Sequence, residues 1–198
     1  MKLALAVDRN GILNAFLLPG GVGSVWQGPI LAGFSDLVPG SRPAICPLSA
    51  TAYSVLVIDR EGVLNAFFVD TAAGGGWEGP AMIGQANLVP GSTLAILHLR
   101  SSLYAALAVD QMGVLNVFSL NSAGGQGWQG PVVSGNPCLI PGSLPAITKV
   151  SSSVYTALIV DAHGMLNAFS VDLAAGGAWT GPLMIGNANL VPGSLVAA

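Results

Sequence analysis

The sequence predicts an all-β protein, a β-propeller of four blades with four strands and about 51 residues in each blade. One stretch, best seen in Val57–Ser92, recurs at intervals of 51 positions, as its opening aspartates show: Asp8, Asp59, Asp110 and Asp161. Each copy contains four short apolar runs that are bounded by turn residues, and none shows helical periodicity. Four antiparallel strands in a repeat of roughly 40 to 50 residues are typical of a propeller blade.

The repeats organise all 198 residues as one predicted domain. The approximate bounds of the repeats are 1–43, 44–94, 95–145 and 146–198. A β-trefoil would have three repeats, and a β-sandwich would not repeat its own sequence this closely.

The third repeat illustrates the first two strands of a blade. Leu103–Val109 is a predicted strand, and the turn Asp110–Gly113 joins it to a second strand over Val114–Leu120. We expect the turn glycine to adopt a positive φ, as do its equivalents Gly11, Gly62 and Gly164. Both faces of the second strand are mainly apolar, which predicts that it lies between two layers.

The other two strands follow a Gly-rich loop. Trp128–Ser134 contains Pro131, which cannot donate a ladder hydrogen bond, so this strand is predicted at the edge of its sheet. A longer connection over Gly135–Ser143 leads to the fourth strand, Leu144–Val150.

The two ends of the chain predict how the ring closes. The first blade lacks its first strand at the start of the chain, and Leu195–Ala198 aligns with the strand that starts at Leu94–Leu97. We therefore expect this C-terminal strand to pair beside Met1–Val7, which removes unpaired edges. The alternative is that two chains exchange their ends and form a ring of eight blades.

The composition excludes some classes of partner. Hydrophobic residues make up 52% of the chain and charged residues only 8%, with a mean hydropathy of +0.68. No apolar run reaches the roughly 18 residues of a membrane helix, so membrane insertion is not expected. The net charge of −3 offers no basic surface to nucleic acid. A surface with few charges and many apolar groups favours self-association, and a homo-oligomer is expected.

The N-terminal residues Met1–Val7 resemble the start of a signal peptide, but the repeat register assigns them to a strand. No targeting segment is therefore predicted, and localisation stays open between the cytoplasm and export by a non-Sec route. Cys46 and Cys138 occupy different repeat positions and are expected to be free thiols.

Catalytic, metal and cofactor sites have no support in the sequence. His98 and His163 have no repeat relation and no evident nucleophilic or acidic partner. An aspartate that opens a turn usually bonds its own backbone, which we expect of the four repeated aspartates. No phosphate-binding loop, metal-ligand cluster or nucleophile elbow is present.

Two repeated side chains are the candidate ligand-binding residues. A tryptophan at the end of each Gly-rich loop offers an apolar face and one N–H donor, which suits a sugar ring. The competing interpretation is that each tryptophan fills the gap between blades. An asparagine recurs in the motif L-N-x-F, where it bonds either a neighbouring loop or a ligand. The candidates are Trp26, Trp77, Trp128, Trp179, Asn14, Asn65, Asn116 and Asn167.

The order V-D-x-x-G-x-L-N-x-F, Gly-rich loop, W-x-G-P, I-G and L-V-P-G-S resembles the blades of β-propeller lectins of the Photorhabdus-lectin type. The resemblance covers all four repeats and implies multivalent binding of glycans, of fucose type or methylated, in pockets at or between blades. The chain departs from the family pattern where its second aromatic residue is replaced by Pro29, Pro80, Pro131 and Pro182.

Three hypotheses of function follow. The first is a carbohydrate-binding lectin with several equivalent sugar sites and no catalysis. The second is a structural or protein-interaction propeller that self-assembles through its apolar surface. The third, a small glycosidase-like enzyme, lacks a pair of carboxylates outside the turns.

Overall fold

The computed structural model describes residues 2–33, 36–72 and 76–198. In these ranges the chain is all-β, with four antiparallel sheets and one short 3-10 turn at Ser122–Gly124. The predicted fold class of four β-propeller blades is confirmed. The same ranges contain no helix long and apolar enough to cross a membrane. Met1 and part of the Gly-rich loop of the second repeat lie outside the described residues.

Each sheet is formed by strands that are consecutive in sequence. The first sheet has three strands and the others have four: β1 (Lys2–Val7), β2 (Leu13–Leu18), β3 (Gln27–Leu31); β4 (Ala44–Pro47), β5 (Ala52–Ile58), β6 (Leu64–Asp70), β7 (Trp77–Ile83); β8 (Ala95–Arg100), β9 (Leu103–Val109), β10 (Leu115–Asn121), β11 (Gln129–Ser134); β12 (Ala146–Lys149), β13 (Val154–Val160), β14 (Leu166–Asp172), β15 (Trp179–Ile185).

The position of a strand in its sheet agrees with its sequence. The Pro-containing strands β3, β7, β11 and β15 are all at sheet edges, as the proline at Pro131 predicts. β10 lies inside its sheet, and Leu115, Asn116, Val117 and Phe118 are all buried. Both faces of this strand are therefore covered, as its apolar pattern predicts.

The predicted C-terminal strand is not formed. Leu195–Ala198 belongs to no strand, and the first sheet has three strands instead of four. By the 51-residue period, Ala197 and Ala198 correspond to Ala146 and Ile147 of β12, one position away from the alignment used above. They therefore match only the start of a strand, which is too short for a stable ladder. In the described residues β1 pairs only with β2, so the predicted closure by pairing of the two chain ends is wrong. The eight-bladed alternative stays a prediction.

The chain divides into two compact units, Met1–Ala86 with Pro90–Thr93, and Asn87–Val89 with Leu94–Ala198. Each unit contains a hydrophobic core of its own. In the first unit, buried side chains of β2, β5 and β6 form the core together with Leu37, and Trp77 packs against it. In the second unit, β9, β10, β13 and β14 supply the core, and Trp179 packs against it.

The D-x-x-G turns position the long loops that follow each edge strand. Their glycines adopt a positive φ in all four repeats, as predicted. The N–H of Leu139 donates to Gly113 O at 3.0 Å, and a Cβ on Gly113 would clash with Leu139 O. The turn glycine therefore allows the loop to approach closely. Three of these loops then form a bridge to the next aspartate, in the pairs Leu37–Asp59, Leu88–Asp110 and Leu139–Asp161.

The W-x-G-P motif forms an irregularity in the edge strand. In β7, Gly79 has φ +115° and is followed by a cis bond to Pro80. The register between β6 and β7 shifts between Ala66 and Phe68, opposite this point. A Cβ on Gly79 would lie 2.7 Å from Ala66 O, so only glycine fits here.

We predict that Gly79→Ala lowers the free energy of unfolding by roughly 1 to 3 kcal/mol, because the added methyl meets backbone and φ is unfavourable for alanine. Gly76→Ala is the matched control, since a Cβ there meets nothing within 4 Å. Urea unfolding of both variants checks this. Equal stability of the two variants would contradict the prediction.

Candidate functional site

The aspartate of each turn is a hub of hydrogen bonds. In the second repeat, Asp59 Oδ1 accepts from the backbone N–H groups of Glu61 and Val63, both at 2.9 Å. Asp59 Oδ2 accepts from Asn65 Nδ2 at 2.7 Å, and the same amide nitrogen donates to Val63 O at 3.1 Å. The carboxylate thus holds both the turn and the asparagine of the next strand.

The same hub is present in the other three repeats. The Asn–Asp distances there are 3.2, 2.9 and 3.0 Å, for the pairs Asn14–Asp8, Asn116–Asp110 and Asn167–Asp161. Each of the four aspartates therefore bonds the backbone of its own turn, as predicted. Each asparagine amide nitrogen donates one N–H to the aspartate and the other to the backbone carbonyl two residues earlier. What each asparagine can still offer a ligand is its carbonyl oxygen.

That oxygen has a different environment in each repeat. Asn65 is 5% exposed and lines a cleft, and no described residue donates to its Oδ1. Asn116 Oδ1 accepts from Asn87 Nδ2 at 3.3 Å. Asn167 Oδ1 is buried and has no hydrogen-bond partner among the described residues. We call a turn aspartate, its asparagine and the leucine loop bridged to the aspartate a frame. The frames have the same hydrogen bonds, but the accessibility of the asparagine oxygen differs among them.

The four candidate tryptophans are also unequal. Trp26 is 50% exposed, whereas Trp128 is buried. Trp77 and Trp179 begin the edge strands β7 and β15 and pack against the cores of their units. The Trp77 Nε1–H is buried and has no acceptor among the described residues. Trp26 is the candidate whose ring has the most surface left for a ligand.

A cleft of about 350 Å³ opens in the first unit, beside Asn65. Its volume is in the lower range of small-molecule sites. Polar groups come from Asp36 in the loop after β3, from Arg60 and Glu61 at the tip of the turn, and from Asn65 on β6. The apolar surface comes from Phe67 on β6 and from Pro80 and Met82 on β7.

Backbone and side-chain hydrogen bonds hold the two walls of the cleft together. The N–H of Arg60 donates to Asp36 O at 3.0 Å, next to the Leu37–Asp59 bridge. The Arg60 Nε also donates to Leu37 O at 3.0 Å. The loop and the turn are therefore joined on both sides of the bridge, and the cleft is a built feature of the fold.

Sequence analysis did not identify Asp36, Arg60, Glu61, Phe67 or Met82 as site residues. The turn tips differ among the repeats, as exposed turns allow. That variation was the available signal, because Arg60–Glu61 is the one turn tip of the four with two charged residues. The equivalent positions carry Asn87, Gln111 and Met112 in one frame, and Cys138, Ala162 and His163 in the next.

The described parts of the chain contain two cysteines and two histidines. Cys46 and Cys138 are free, as predicted, and burial raises the pKa of the Cys46 thiol to about 12. His98 stacks on Tyr104 with ring centroids 4.6 Å apart. No group of three or more His, Cys, Asp or Glu residues is arranged to hold a metal ion there.

The hubs also lower two carboxyl pKa values. The backbone N–H of Ile12 is the main cause of the lowered pKa of Asp8. Burial raises the pKa of Asp161, but hydrogen bonds from Met165, Asn167 and His163 outweigh it, and the pKa is lowered overall. Both groups therefore contribute stability while they are ionised.

We predict that the protein loses stability as the pH falls below about 4. Because the folded-state pKa of Asp161 is below its value in the unfolded chain, the contribution is complete above the unfolded pKa and disappears as pH falls through the folded pKa. Asp161→Asn should lower the free energy of unfolding at neutral pH by about 1 to 3 kcal/mol. It should also flatten the loss below pH 4, as measured by denaturant unfolding across pH. The same slope in both proteins would contradict this.

Comparison with solved structures finds the BP39L lectin from Burkholderia pseudomallei, with a TM-score of 0.77 and 27% sequence identity. The match covers 92% of this chain and 51% of that chain, so this chain spans about half the length of the lectin. The resemblance to a lectin that the repeats indicate is therefore confirmed. No protein-family model and no curated protein matches the chain.

Proposed function

We propose that this chain is a non-catalytic carbohydrate-binding protein that holds a sugar in the cleft beside Asn65. The observation that carries the proposal is that a chain similar in structure to a lectin has a cleft with both polar and apolar lining. The lectin's length is about twice that of this chain, so the proposal for this chain rests on its own residues.

The cleft has the two kinds of surface that a sugar needs. Pro80 and Met82 offer an apolar side for the C–H face of a pyranose ring, above the buried ring of Phe67. The Asn65 carbonyl oxygen and the charged tip residues Arg60 and Glu61 offer acceptors and donors for hydroxyl groups. Fucose-type and methylated sugars, whose methyl groups suit an apolar side, are the first candidates.

Several sites per chain are part of the proposal. The bridge of a leucine loop to the next aspartate occurs three times, and each frame contains a buried asparagine. Weak binding at several such frames gives useful avidity toward a surface that displays many copies of a glycan. Trp26, whose ring is half exposed, is a further contact in the first repeat.

A structural role in self-assembly is the second candidate function. Exposed apolar side chains on edge strands favour it, in particular Met82, Val132, Val133, Leu183 and Met184. Such a surface stabilises a homo-oligomer when it is buried between copies. The two functions are compatible, since assembly multiplies the number of sugar sites.

We predict that Met82→Ala weakens sugar binding about fourfold, because roughly one methylene group's worth of ligand contact is lost. Met82 is 76% exposed, so the free energy of unfolding should hardly change. Calorimetric titration with fucose and O-methylated monosaccharides measures the affinity. Met184→Ala is the control, because it occupies the equivalent exposed position two repeats later and should leave the affinity of the Asn65 cleft unchanged. Identical titrations for Met82→Ala and wild type would count against this cleft as the site.

We predict that two tryptophan variants behave in opposite ways. Trp77→Ala should lower the free energy of unfolding by about 2 to 4 kcal/mol, because the ring packs against the first core. Trp26→Ala should change stability by less than about 0.5 kcal/mol and weaken binding to a surface coated with glycans. Thermal unfolding and binding to glycan-coated surfaces test both. Unchanged binding by Trp26→Ala would remove Trp26 from the site.

A further inference from the structure

We infer that the cleft beside Asn65 selects sugars that carry a protonated amine, and this rests on the proposed function that the cleft binds a sugar. The cleft is lined by three carboxylates, those of Asp36, Asp59 and Glu61, and by one guanidinium, that of Arg60. Its lining therefore has an excess of two negative charges.

Two of these carboxylates are available to a ligand. Asp59 is fully used by the hub, since its oxygens accept from Glu61 N, Val63 N and Asn65 Nδ2. Asp36 and Glu61 are exposed, and in the described part of the chain neither side chain makes a hydrogen bond or ion pair. Arg60 donates its Nε to Leu37 O and so is partly used by the protein.

An acceptor in the same cleft that no described residue bonds is the independent observation. The Asn65 side chain is 5% exposed, and its amide nitrogen already donates to Asp59 and to Val63 O. No described residue donates to its Oδ1, which is therefore available to a donor that enters the cleft. The cleft thus presents one amide oxygen at its base and two carboxylates at its mouth, which are all acceptors.

A ligand matches this set best if it brings donors and positive charge. A protonated amine supplies three N–H donors and one positive charge, whereas an N-acetyl group supplies one donor, one acceptor and no charge. A sugar acid brings a negative charge toward an already negative lining. Amino sugars with a free amine therefore fit better than their acetylated or acidic counterparts.

The other two frames of the chain show that the charge is not a requirement of the fold. Position 36 corresponds to Asn87 and Cys138, and position 61 to Met112 and His163. Gln111, which corresponds to Arg60, makes the same bond to the leucine loop, with Nε2 donating to Leu88 O at 2.8 Å. Uncharged residues thus hold the frame elsewhere, and the charged set is specific to the Asn65 cleft.

The experiment compares a glucosamine trimer with an N-acetylglucosamine trimer by calorimetric titration of the full chain, at a pH where the amine is protonated. The wild-type protein should prefer the glucosamine trimer by about fivefold or more, and added salt should reduce the preference. Asp36→Asn and Glu61→Gln should each reduce it about two- to fivefold.

Two further variants make the test specific. Arg60→Gln keeps a donor for the leucine loop, as in Gln111, and removes the positive charge, so it should increase the preference about two- to fivefold. Glu78→Gln is the matched control, because Glu78 is an exposed carboxylate on β7 that does not line the cleft. It should leave the preference unchanged.

The outcomes separate this inference from the proposed function. A preference for the amine that falls in Glu61→Gln and rises in Arg60→Gln supports the inference. Equal binding of both trimers by all variants overturns it, while sugar binding itself stands. No binding of any sugar, including fucose and methylated sugars, removes the proposed function and the inference together.

Discussion

The carboxylate of the turn aspartate is the constraint on which each blade depends. One oxygen accepts two backbone N–H groups that the tight turn leaves without partners, and the other accepts the amide of an asparagine six positions later. The aspartate's backbone also takes part in the bridge to the leucine loop of the repeat before it. A single residue therefore fixes the turn and the central strand through its side chain and the loop contact through its backbone. The wall of the candidate cleft is positioned by the same residue that stabilises the fold.

This arrangement separates the frame from its specificity. The hub residues are nearly the same in every repeat, because each has partners that another side chain would leave unpaired. The tip residues after the aspartate have no such obligation, so Arg60 and Glu61 can be replaced by Gln111 and Met112 without loss of the bridge. Residues that differ among otherwise identical repeats are therefore where ligand preference is expressed, whereas the repeated residues mainly keep the frame intact.

Much of the fold could be predicted from the sequence, because the 51-residue period and the alternation of apolar runs with Gly, Pro and Asp are local signals. The strand Leu103–Val109 and the edge position of β11 follow from such signals.

The cleft could not be predicted in this way. Asp36 and Glu61 are 25 positions apart and meet only because a loop bridge brings a strand end beside a turn. The prediction of a C-terminal strand was wrong because only Ala197 and Ala198 are in register with β12, and two residues cannot sustain a ladder. The four tryptophans occupy the same position of the repeat but differ in burial, because their neighbours differ.

The polarity of the site follows from the hub itself. A carboxylate can only accept, so the aspartate takes the N–H side of the asparagine amide and the carbonyl oxygen points away. Every frame consequently presents an acceptor to whatever lies beside it. In one frame a protein amide, Asn87, supplies the matching donor to Asn116. In the cleft beside Asn65 no described residue does so, and the donor has to come from water or from a ligand. Whether a frame is closed or open to a ligand is thus decided by the residue opposite the asparagine, which is Asp36 in one case and Asn87 in the other.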